Sequence, residues 1–90
     1  MLESRVIILN QLGLHARAAA QLVRLAGSFK SQIILERTDN AVTSDAKSIL
    51  SVLTLAAAKG TELKLKIDGT DEQKALQAIK DIFSNGFGEL

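Results

Sequence analysis

The segment Gly13-Leu14-His15-Ala16-Arg17-Ala18 places the only histidine of the chain where a glycine-containing loop runs into an alanine-rich helix. The first N–H groups of a helix have no carbonyl partner within it, so those of Ala16, Arg17 and Ala18 point outward. With the positive end of the helix dipole they form a ready anion site. Arg17 brings a guanidinium fork to the same anion. An imidazole beside such a site has what phosphoryl transfer needs: a neutral ring nitrogen attacks while the amides and Arg17 hold the other oxygens. Imidazole is also the side chain whose charge change lies closest to neutral pH. On spacing alone His-x-Arg is a weak motif, and a surface histidine at a helix start is more often a cap residue.

A second segment, Asp45-Ala46-Lys47-Ser48-Ile49-Leu50, puts a serine near a helix start after a lysine. A phosphate on Ser48 would add about −1.5 to −2 charges beside Ile49 and Leu50. Local sequence fits an ordinary first-turn serine better. Ile49, Leu50 and Leu53 read as core, since an exposed patch has to be shown. Asp68, Asp71 and Glu72 sit in a turn feeding a helix start, where the dipole alone favours acids, and no catalytic role is assigned to them. Gly60, Gly69, Gly86 and Gly88 are spaced as turn and cap residues and make no phosphate loop. With no cysteine and one histidine, disulfides, thiol chemistry and cysteine-ligated zinc are excluded, and neither a metal nor a cofactor is expected.

Ninety residues are enough for one small domain, read here as spanning 1–90. The chain is 47% hydrophobic and 23% charged, which excludes a disordered acidic or basic tail. The uncharged run Ser48 to Ala58 is short of the roughly 18 residues a membrane helix needs, and the start lacks signal-peptide character. A cytoplasmic monomer with no membrane association is the expectation. Net charge is only +1 but uneven. Up to Leu35 there are four basic side chains against Glu3 alone, with no acid between Ser4 and Leu35. That suits an anion or an acidic partner. It is too sparse for nucleic acid, and without Trp or Tyr base stacking has little to use.

These residues need elements to hold them. Arg5–Leu9 is β-branched and reads as a largely buried first strand. Ala16–Ser28 carries Ala19, Leu22, Val23 and Ala26 on one helical face. Ser31–Glu36 and Ala41–Thr43 read as strands joined through Thr38-Asp39-Asn40 turn chemistry. Ala46–Lys59 has helical spacing, with Asp45 as N-cap and Gly60 as terminator, but Ser51-Val52-Leu53-Thr54 argues against one long helix. Glu62–Asp68 alternates cleanly. Thr70 and Gln73 fit a capping box for a last helix with Ala75, Leu76, Ile79, Ile82 and Phe83 inward. The order βαββαβα points to an α+β fold with helices on one face of the sheet.

The pattern Gly13-Leu14-His15-Ala16-Arg17 with Ala19-Ala20, followed by Lys47-Ser48-Ile49, resembles the histidine-containing phosphocarrier (HPr) family of the phosphoenolpyruvate-dependent phosphotransferase system. So do the segments Gly60–Glu62 and Asp68–Ala75, and the likeness covers essentially the whole chain. It implies an open-faced β-sandwich, four antiparallel strands covered on one side by three helices, the middle one short. It implies that His15 takes a phosphoryl group from enzyme I on Nδ1 and passes it to an enzyme IIA during sugar uptake. The chain would then be a relay substrate and no catalyst by itself. Arg17 carries over as the phosphate-coordinating cation, and Ser48 as a regulatory serine modified by an HPr kinase/phosphorylase. The docking surface would include Ala16, Arg17, Ala20, Arg24, Ile49, Leu50 and Leu53. Ala18 stands where the family commonly has proline, Ser51 where many relatives have glycine, and the Arg37–Ala41 hairpin is longer. The rival reading is a regulatory relative, of a nitrogen-type branch or binding a transcriptional regulator through Ser48. Such a molecule would have no need of the nucleophile, and both His15 and Arg17 are present.

Overall fold

Glu62–Asp68 (β4) buries Leu63, Leu65 and Ile67 and turns Lys64 and Lys66 to the other side, the period-2 pattern of a strand with one wet face. It pairs antiparallel with β1 (Leu2–Ile7), Val6 opposite Leu63, and with β2 (Gln32–Arg37), Ile33 opposite Ile67. β3 (Thr43–Asp45) adds to β2, giving the order β1-β4-β2-β3. The computed structural model describes residues 1–90.

Three helices, α1 (Ala16–Gly27), α2 (Ile49–Leu53) and α3 (Glu72–Ser84), cover one face, and a 3-10 turn at Gly86–Gly88 follows. Ala18, Ala19, Leu22 and Ala26 of α1 and Ala75, Ile79 and Phe83 of α3 meet the inward residues of the sheet in one core. Each large aliphatic side chain buried there contributes about 1.5–3 kcal/mol of transfer free energy. The uncovered face carries charge pairs, Lys66 with Glu36 at 2.8 Å and Arg5 with Glu62 at 3.1 Å. Such screened pairs keep the face wet and add little to stability. This is the open-faced α+β architecture expected from the sequence.

Several boundaries differ from the expectation. The first strand runs Leu2–Ile7, because pairing along β4 and not the β-branched run sets its length. It is an edge strand, and Ile7 and Leu9 lie on its uncovered side, 49% and 41% exposed. The third strand is Thr43–Asp45; Ala41 has φ 61°, a left-handed turn conformation that ends the hairpin loop. The N-cap of α2 is Ser48, its hydroxyl accepting from the Ser51 N–H, and the helix stops at Leu53, well before Gly60.

The capping box at Thr70 and Gln73 does not form. Asp71 takes the N-cap position of α3, yet its carboxylate faces the α1–β2 loop. It accepts from the N–H groups of Lys30 (2.8 Å) and Ser31 (2.9 Å) and from the buried Ser31 hydroxyl (2.5 Å). These donors, the Ser31 hydroxyl foremost and then the Lys30 N–H, lower its carboxyl from 3.8 to about 2. A group depressed on folding stabilises the fold above its unfolded value and loses that contribution as pH falls through the folded one. Asp71→Asn is therefore expected to lower the urea midpoint at pH 7, with the gap to the native chain closing between pH 3.8 and about 2. A gap that ignores pH in urea titrations would show that the loop does not use the carboxylate charge.

Candidate functional site

The loop before α1 is shaped by Gly13. Its φ of 65° is left-handed, and a Cβ there would lie 2.5 Å from the Ala57 carbonyl oxygen. Without one, the chain closes on this neighbouring segment, and the Leu14 N–H donates to Ala57 O at 2.9 Å. Leu14 is thereby buried, and His15 follows at the N-cap of α1 in an extended conformation. The His15 side chain makes no cap bond. The helical ladder opens with the Ala19 N–H on His15 O at 2.8 Å, so the N–H groups of Ala16, Arg17 and Ala18 have no carbonyl partner. Ala16 and Arg17 are exposed. Ala18 is fully buried, its N–H included, so Ala16 and Arg17 are the two residues of this first turn open to solvent. Because the Ala18 N–H has no carbonyl partner, a proline at this position would lose no ladder bond.

The sequence reading missed the residue that touches the ring. After α3, Gly86, Phe87 and Gly88 have φ of 55°, 56° and 76°, three left-handed residues in a row that turn the chain back toward α1. Such a conformation is unfavourable for Phe87 by about 1–2 kcal/mol. Burial of its ring, edge-on to Phe83 at 5.0 Å between centroids, offsets this. The turn delivers Glu89. Its Oε2 lies 2.5 Å from His15 Nε2 and accepts from the Arg17 guanidinium at 3.3 Å, while Oε1 accepts from Asn10 Nδ2 at 3.0 Å.

Asn10 is fully buried and also donates to Gly13 O at 2.8 Å. Two acceptors on one side fix its amide orientation and leave Oδ1 without a partner. The Asn10 hydrogen bond first, and then that of His15, hold the Glu89 carboxyl below its ordinary 4.5. An ionised carboxylate only accepts, so the hydrogen between the two groups belongs to Nε2. Nδ1 is then the nitrogen with a free lone pair whenever the ring is neutral.

The second segment lies on α2, which packs against α1. Ser48 is half-buried, and Lys47 Nζ donates to Phe29 O at 2.8 Å. The Ser51 hydroxyl accepts from the Asp45 N–H at 3.0 Å, a tie between β3 and α2 that a glycine would lack. Ile49 and Leu50 are not core: they are 38% and 75% exposed. Leu53 is half-buried against the core, Ala20 is half-buried, and Arg24 is exposed in the last turn of α1. The acid-free stretch up to Leu35 does not leave Arg17 unpaired, because Glu89 arrives from the far end of the sequence. The only signals for Glu89 were the two glycines around a phenylalanine after the last helix. Asn10 read as no more than a loop residue. No cluster of three or more His, Cys, Asp or Glu that could hold a metal is present, and no helix is long and apolar enough to cross a membrane.

Comparison with known proteins places this arrangement. The family described as PTS HPr component phosphorylation site matches residues 2–85. The chain is 48% identical over 89 residues to phosphocarrier protein HPr of Cupriavidus necator, covering 99% of this chain and 98% of that one. It is 46% identical to the HPr of Xylella fastidiosa (strain 9a5c) with the same coverage. Its structure is similar to crystalline HPr-C-His from Thermoanaerobacter tengcongensis, with TM-score 0.92 and 39% identity over 100% of this chain and 99% of that one. The chain belongs to the HPr family, the phosphocarrier proteins of the phosphotransferase system.

Proposed function

We propose that this chain carries a phosphoryl group on His15 Nδ1, accepted from phosphorylated enzyme I and passed to an enzyme IIA for sugar uptake. One observation carries the reading: Nε2 is engaged by an ionised carboxylate, which leaves Nδ1 as the nucleophile at a helix start with three unpartnered N–H groups and Arg17. The protein acts as a single domain and as a monomer in the cytoplasm, a substrate of the relay and not a catalyst. Its docking face combines Ala16, Arg17 and Arg24 with exposed Ile49 and Leu50, flanked by half-buried Ala20 and Leu53. The test is incubation with phosphoenolpyruvate and enzyme I, followed by mass spectrometry after acid and alkali. An acid-labile, alkali-stable adduct on His15 is expected; a folded chain that takes no label would sink the proposal.

Ser48 adds a regulatory reading, favoured by its place beside the exposed Ile49 and Leu50. A phosphate there, placed by an HPr kinase/phosphorylase, puts negative charge on the docking face and disfavours acidic partners. Ser48→Asp is expected to slow phosphorylation by enzyme I roughly fivefold, the effect of about 1 kcal/mol of charge repulsion in water. An unchanged rate would remove Ser48 from that face.

A further inference from the structure

Resting on the phosphocarrier reading, we propose that Glu89, steadied by Asn10, is a positioning residue that locks His15 in the Nε2–H tautomer and keeps that proton in place through phosphoryl gain and loss. Two features of the geometry carry this. The Glu89 carboxylate meets the ring edge-on at Nε2, 2.5 Å away, and it is anchored from behind by a fully buried amide. Arg17 touches the same carboxylate oxygen but is 69% exposed, so it is free to swing to a phosphoryl group while Asn10 keeps Glu89 on the ring. Glu89 and Arg17 are the charged side chains facing the imidazole.

The chemistry balances without a proton crossing the ring. In the neutral Nε2–H tautomer the Nδ1 lone pair attacks phosphorus, the Nδ1–P bond forms, and the donor's bond to phosphorus breaks with its electron pair returning to the donor atom. The product ring carries phosphoryl on Nδ1, hydrogen on Nε2 and a positive charge, which the Glu89 carboxylate faces directly. When the next acceptor attacks, the Nδ1–P electrons return to Nδ1 and the neutral Nε2–H tautomer is restored. A carboxylate on the far nitrogen of a reacting histidine fixes tautomer and orientation in the same way in hydrolytic triads. Without Glu89 both tautomers are populated, and the one with hydrogen on Nδ1 cannot attack.

Glu89→Gln tests this, being nearly isosteric and able to hydrogen-bond either tautomer. Imidazole nitrogen NMR of the free protein is expected to show one protonated and one lone-pair nitrogen in the native chain, and averaging in the variant. Phosphorylation by enzyme I is expected to lose about tenfold or more in kcat, with KM for enzyme I nearly unchanged. A variant with the native nitrogen spectrum and the native kcat overturns the proposal, as does a change confined to KM, which would put Glu89 in docking. A native chain that accepts no phosphoryl group fails differently: it overturns the phosphocarrier reading and this inference with it.

Discussion

His15→Ala is expected to abolish phosphoryl acceptance from enzyme I while the protein stays folded. The site keeps Arg17 and the three unpartnered N–H groups, so an anion still finds its donors, but no atom remains to form the bond to phosphorus. The native imidazole lies outside the core and makes no cap bond, and Glu89 keeps its hydrogen bonds from Asn10 and Arg17. The far-UV spectrum should match that of the native chain, with Tm moved by no more than a few degrees. Labelling with radioactive phosphoenolpyruvate checks the chemistry and thermal unfolding the structure. Residual labelling at the native rate would assign the phosphoryl group elsewhere, and an unfolded variant would contradict the placement of His15 at the surface.

Gly13→Ala is expected to have the largest effect on stability. A left-handed alanine is unfavourable by about 1–2 kcal/mol. The added Cβ also meets Ala57 O at 2.5 Å and Ala58 Cα at 2.9 Å, both main-chain atoms that cannot swing aside. Forced overpacking of that kind costs about 1–3 kcal/mol, so the total is about 2–5 kcal/mol. In a chain of this size that lowers Tm by roughly 10–40 °C. Relief requires the two loops to part, which breaks the Leu14–Ala57 hydrogen bond and shifts His15. Phosphoryl acceptance should therefore fall even at temperatures where the variant is fully folded. Native Tm and native rate together would show that the loop is not pinned at this point.

What the sequence made legible follows from the range of the interactions. The inward stripe of α1 and the alternation of β4 are local periodicities, and both stand as read. His15 at a helix start with unpartnered N–H groups is likewise a matter of a few adjacent residues. The misplacements fall where a distant partner decides. Pairing with β4 set the bounds of β1, and the α1–β2 loop drew the Asp71 carboxylate away from a cap. The Arg37 guanidinium binds Asp39 and also Leu55 O, joining the hairpin to the loop after α2 in a way no local pattern announces. Glu89 was the hardest to see, because its role depends on three left-handed residues held by a buried ring.

His15 and Glu89 stand 74 positions apart in the chain. Closing a disordered loop of that length costs about 4 kcal/mol in chain entropy, more than one charge-assisted hydrogen bond contributes alone. The contact therefore has almost no population in a chain whose helices have formed but not docked. It exists only after α1 and α3 have packed and Phe87 has seated. A loosened molecule still displays an imidazole, but one whose proton is held on neither nitrogen. On the proposed reading, the proton on Nε2 reports on the whole tertiary structure, and phosphoryl acceptance at this histidine follows the fraction of molecules that are fully folded.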